Sequence, residues 1–85
     1  MNISKHEQRV LHELALGGSI HYKRLANGKV HEVTCYTRDG YVLSDCTLSV
    51  FQRLLKKRFI RSKNGNPYRA SALGINSVRA QRNQR

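Results

Sequence analysis

The chain has 85 residues and a formal net charge of +11, from 16 Lys/Arg against five Asp/Glu. That length allows a single domain with a small core, and no apolar run approaches the ~20 residues of a membrane span. Two cysteines, Cys35 and Cys46, are too few for a disulfide scaffold and lack the C-x-x-C spacing of a zinc knuckle. Both are therefore expected to be reduced and half-buried, in one domain spanning residues 1–85.

The first residues, Met1-Asn2-Ile3-Ser4-Lys5-His6-Glu7, lack the charged-then-apolar layout of a signal peptide, so a cytoplasmic location is expected. Ser4 and Glu7 have the spacing of a capping box. Val10, Leu11, Leu14 and Ala15 then recur with helical period, and Gly17-Gly18 stops the helix. His6 and His12 are six apart, the wrong spacing for a metal pair on one helix.

Strands follow at about 19–26, 29–37 and 41–44. Asn27-Gly28 is a two-residue hairpin signal that pairs Tyr22 with Val33, Lys23 with Glu32, and Ile20 with Cys35. A three-residue loop, Arg38-Asp39-Gly40, would place Cys35 opposite Leu43 and Val33 opposite Asp45. His21 and His31 read as surface strand residues.

Asp45 or Thr47 caps a second helix over about 47–59, with Leu48, Phe51, Leu54, Leu55 and Phe59 as its apolar face. Gln52, Arg53, Lys56 and Lys57 fall on the other side. Phe59–Lys63 reads as a short strand, Asn64-Gly65-Asn66-Pro67 as a turn, and Tyr68–Ala70 as the returning strand. Ser71 caps a last helix over about 72–82, which Gly74 weakens, and a flexible tail is expected at about 82–85. The expected core is Val10, Leu11, Leu14, Ile20, Tyr22, Val33, Leu43, Leu48, Phe51, Leu54, Leu55, Ile60, Tyr68 and Ile75. The fold class is α+β, in the order α-β-β-β-α-β-β-α. It is a small winged-helix-like domain in which an antiparallel meander replaces the usual second helix and a β-wing follows the recognition helix.

The charge is unevenly spread. Residues 1–45 carry all five acids and six bases, for a net +1, whereas residues 46–85 carry ten bases and no acid. Such a field seeks a polyanion or an acidic protein surface. Candidate binding residues are Gln52, Arg53, Lys56 and Lys57 on the helix, Arg61, Lys63 and Arg69 on the wing, and Arg79 and Arg82 on the last helix. Arg and Gln can read base edges, and the remaining cations can neutralise phosphates.

Catalysis has little support. The basic half has no carboxylate pair for glycosidase or metal-nuclease chemistry, and no P-loop, G-x-S-x-G or H-E-x-x-H occurs. No catalytic residue, metal ligand or cofactor is expected. An RNA-binding or nuclease-like role would need an exposed row of aromatics on the sheet.

Asp45-Cys46-Thr47-Leu48 with Val50-Phe51, then Asn64-Gly65, Pro67-Tyr68-Arg69, and Asn76 with Val78-Arg79-Ala80-Gln81, together resemble the YjhX family of small bacterial proteins. The Ser4–Leu16 helix and the Cys35-Tyr36 to Gly40 turn fit the same pattern, so the resemblance runs over nearly the whole chain. It implies a toxin of a toxin–antitoxin pair that binds and inhibits DNA topoisomerase I, with an acetyltransferase-like antitoxin as the other partner. It implies no catalytic residues. On this reading the basic face meets the enzyme, its antitoxin or DNA. The alternative is a winged-helix transcriptional regulator that binds DNA directly.

Overall fold

The computed structural model describes residues 3–82, without the side chains of residues 79–82. The elements are α1 (Lys5–Ala15), β1 (Ser19–Arg24), β2 (Val30–Tyr36), β3 (Val42–Leu43), α2 (Leu48–Lys56), β4 (Ile60–Arg61), β5 (Arg69–Ala70) and α3 (Ala72–Arg82). The expected order and α+β class hold. The expected flexible tail lies outside the described residues, save Arg82 at the end of α3.

The α1 capping box forms: the Glu7 amide donates to Ser4 Oγ at 3.1 Å, and the Ser4 amide donates to Glu7 Oε2 at 3.0 Å. Strands β1, β2 and β3 make an antiparallel sheet, with Ile20 opposite Cys35, Tyr22 opposite Val33 and Lys23 opposite Glu32, as expected. The turn between β1 and β2 differs. The register shifts after Lys23, so that Arg24 faces Val30 and His31 is the extra residue. The loop therefore has three residues, Ala26-Asn27-Gly28, closed by the Leu25 amide donating to Lys29 O at 2.8 Å. Gly28 takes the left-handed φ of 88° that this loop-and-bulge geometry requires. The bulge absorbs the added loop residue, so the pairing beyond it is preserved.

The second loop has three residues, with the Thr37 amide on Tyr41 O at 2.7 Å, and Cys35 faces Leu43. Strand β3 stops at Leu43, so the expected pairing of Val33 with Asp45 does not form; Asp45 turns instead towards His6 and Arg9 of α1.

Thr47, not Asp45, caps α2: its Oγ1 accepts from the Val50 amide at 3.2 Å. The helix ends earlier than expected. Arg58 adopts φ 62°, its amide bonds Leu55 O, and the Phe59 amide bonds Leu54 O, both at 3.0 Å. This is a Schellman-type end with arginine where glycine is usual. It releases Phe59 from the helix into the core, where it is buried.

Strands β4 and β5 form a hairpin joined to the main sheet by one backbone bridge. Ile20 and Tyr68 exchange two backbone hydrogen bonds, each 2.9 Å. The buried core contains eight of the expected residues: Val10, Leu11, Leu14, Ile20, Phe51, Leu54, Ile60 and Tyr68. Tyr22, Val33, Leu43 and Leu48 pack against it half-buried, and Ile75 is likewise only half-buried. Cys35, Cys46, Val50, Phe59 and Val78 complete it. Both cysteines are thus more deeply buried than expected. They share a hydrogen bond that, with burial, pushes the Cys46 thiol up and keeps it protonated. Leu55 is the clear exception among the expected core residues: it is 40% exposed.

Candidate partner-binding face

Helix α2 lies with Val50, Phe51 and Leu54 inward and Gln52, Arg53 and Lys56 outward. Lys57, expected on the same open face, is directed elsewhere. Its ammonium meets Glu7 Oε1 of α1 at 2.5 Å, and the Glu7 side chain is only 3% exposed. Burial by itself raises the Glu7 pKa, but the hydrogen bonds from Lys57 and Ser4 outweigh it and hold the carboxyl below its ordinary 4.5. Lys57 is thus part of the joint between α1 and α2.

The β4–β5 hairpin carries its cations in an unusual arrangement. Arg61 and Arg69 are directly opposed across the two strands. Like charges in that position repel. Arg69 Nη1 lies 3.4 Å from Gly17 O, and the Arg38 side chain packs beside Gly17, so two cations gather at the C-terminal end of α1. The helix dipole favours them there. The tip of the hairpin is held in place: the Tyr22 hydroxyl donates to Gly65 O at 3.1 Å, and Ser62 Oγ donates to Asn66 O.

Ion pairs among the described residues join Glu7 to Lys57, Glu32 to Lys23, and Asp45 to His6 and Arg9. Among these residues, Arg53, Lys56, Arg58, Arg61, Lys63 and Arg69 are exposed and form no ion pair. Arg79 and Arg82 belong to α3, but their side chains lie outside the described residues.

Sequence reasoning missed Arg24 and Lys29, which belong to the less basic half. The fold places them on the rim of a groove between the β1–β2 hairpin and α2, beside Gln52 and Leu55. Their only local signal was the Asn27-Gly28 turn, which fixes where the hairpin tip falls. On the opposite sheet face, His21 packs edge-on to Tyr36 at 4.9 Å, but no row of exposed aromatics forms there. Among the described residues no group of three or more His, Cys, Asp or Glu could hold a metal ion, and no helix is long and apolar enough to cross a membrane.

These features define a small α+β protein with a cationic surface built from one helix and one hairpin. Over residues 1–85 the sequence matches the YjhX toxin family, described as "Putative toxin of bacterial toxin-antitoxin pair", and the chain belongs to that family. It is 58% identical to a UPF0386 protein of Ruegeria sp. (strain TM1040), over 100% of both chains. It is also 55% identical to one from Aliivibrio fischeri and 56% identical to one from Beijerinckia indica, again over 100% of each chain. No solved structure matches it.

Proposed function

We propose that this chain is the toxin of a toxin–antitoxin pair and that it acts by binding, not by catalysis. Its target is DNA topoisomerase I, met by the cationic surface of α2 and the β4–β5 hairpin. An acetyltransferase-like antitoxin neutralises it. Family membership supports the toxin role and hence an antitoxin partner; the likeness to YjhX toxins supports the target.

The observation that carries the binding reading is the opposed pair Arg61 and Arg69, with Arg53, Lys56, Arg58 and Lys63 exposed on the same two elements or at their junction. Folding gathers these cations without carboxylates to offset them, at a cost in self-repulsion. An acidic surface removes that cost and steers the encounter. The test is a titration of the purified chain against topoisomerase I without DNA, at two salt concentrations. A stoichiometric complex that weakens with salt is expected. Absence of any complex at low salt, with tight DNA binding instead, overturns the reading.

One observation favours a second reading, a winged-helix DNA-binding regulator. The Ile20–Tyr68 bridge fixes the hairpin beside α2, where a wing would flank a recognition helix. On that reading, replacing Arg53 by Ala relaxes sequence preference, and replacing Lys63 and Arg69 weakens binding to every sequence alike. Equal affinity for operator and random DNA counts against it.

A further inference from the structure

The groove beside α2 has a chemistry distinct from the open cationic face. Its volume is about 400 Å³, and its walls include Val30, Phe51, Leu55 and Tyr68 with Arg24 and Lys29 at the rim. None of its lining residues is acidic. Leu55 is 40% exposed although it sits on the buried flank of an amphipathic helix, and Leu25, at the hairpin, is 49% exposed. The opening is therefore apolar within and cationic around its edge.

Arg24 is already held in position. Its Nη1 donates to Gly28 O at 2.7 Å, and its guanidinium lies 5.1 Å from the Tyr22 ring centre. A guanidinium fixed in this way loses little freedom when it takes a carboxylate, and it retains further N–H donors to do so.

The aromatic rings of the groove do not suit a nucleobase. Phe51 and Tyr68 pack on each other at 4.9 Å and 88°, and are 1% and 8% exposed. They leave almost no ring face for stacking, which single-stranded nucleic acid needs. A branched aliphatic or aromatic side chain needs only the apolar walls.

We propose that this groove docks an acidic polypeptide segment. A large apolar side chain of the segment seats against Leu55 and Val30, and flanking carboxylates meet Arg24 and Lys29. This deepens the reading above, on which the partner is a protein, by naming the chemistry of the segment that is recognised. Neither Arg61 nor Arg69 lines the groove, so it can be altered separately.

The test is a selection from a displayed library of random 12-residue peptides against the full chain. Selected peptides are expected to carry several Asp or Glu around one large apolar residue. Measured by fluorescence polarisation, the best of them should lose at least about tenfold in affinity on Leu55→Glu, and similarly on Arg24→Glu with Lys29→Glu. Replacing its apolar residue by Ser should do the same. These positions are exposed, and circular dichroism checks that each variant folds. Lys5→Glu with Gln8→Glu on α1 serves as the charge control and should change affinity much less. The proposal is overturned if no peptide is selected, if the selected peptides lack acidic residues, or if their affinity survives the groove substitutions. The topoisomerase I titration is read separately: its failure leaves the peptide result intact, and failure of the selection leaves the titration intact.

Discussion

The Glu7–Lys57 pair shows what single residues contribute beyond their local pattern. In the sequence, Glu7 completes a capping box, and that is borne out. Its second oxygen, however, binds a lysine fifty positions away, a contact that no local spacing encodes. The same contact takes Lys57 off the face on which its helical position would place it. Replacing Lys57 by Ala leaves a buried carboxylate without its cation and is expected to cost about 2–3 kcal/mol. The double change Glu7→Leu with Lys57→Met should cost clearly less than Lys57→Ala alone; urea unfolding at neutral pH compares them. The pair also makes stability depend on pH. Because the folded carboxyl titrates below its ordinary 4.5, its contribution is complete above that value. It is lost as pH falls through the lower folded value. Glu7→Gln should therefore be destabilised relative to the parent at neutral pH, and the gap should narrow as pH falls below 4.5. A gap that does not change with pH would mean that the carboxylate charge contributes nothing.

At the scale of elements, most of the fold was legible because turn chemistry and amphipathic period agree. The three hairpins and the three caps fall where Asn-Gly, Asp-Gly, Ser and Thr predict, within a few residues. The exceptions have tertiary causes. The β1–β2 loop gained a residue because a bulge at His31 compensates for it. Helix α2 stopped early because Arg58 accepts a left-handed conformation that lets Phe59 reach the core. Gly74 is instructive. Read from sequence it only weakens α3, and Gly→Ala in an exposed helix commonly stabilises by up to about 1 kcal/mol. Here a Cβ would overlap the Phe59 carbonyl, because the start of α3 is drawn onto the connection between α2 and β4 by Ser71, whose amide bonds Phe59 O at 2.9 Å and whose Oγ donates to Arg58 O at 2.7 Å. Gly74→Ala is therefore expected to lower the thermal midpoint. A rise would show that α3 packs less closely than this. In the β4–β5 hairpin the opposite sign is expected. Arg61→Glu turns a repulsive cross-strand pair into an attractive one and should raise stability by roughly 0.2–1 kcal/mol while weakening partner binding. Loss of both stability and binding would mean that Arg61 is needed for the hairpin itself.

For the whole molecule, the split of charge along the chain is only partly a split in space. Arg24, Lys29 and Arg38 come from the acid-bearing half, yet the fold brings Arg38 to the end of α1 beside Arg69, and Arg24 and Lys29 to the flank of α2. The sequence identified the sign and the main elements of the cationic surface but not its extent, because extent depends on which loops the sheet carries to α2. Meanwhile three of the five acids are engaged in ion pairs away from that surface: Glu7, Glu32 and Asp45. The exposed cations of α2 and the hairpin are thus left to repel one another at a net charge of +11. Screening should relieve this. The Debye length falls from about 10 Å at ~0.1 M salt to about 3 Å at ~1 M, shorter than the spacing of most of these groups. The thermal midpoint of the isolated chain is therefore expected to rise with sodium chloride over that range. Arg61→Glu combined with Arg53→Glu should remove much of the rise, because it lowers the repulsion that salt would otherwise screen. The buried Glu7–Lys57 pair is shielded from solvent and should respond little. A midpoint that falls with salt would mean that surface ion pairs outweigh repulsion. In that case the cationic surface would be stable without a partner, and the energetic case for an anionic one would be lost.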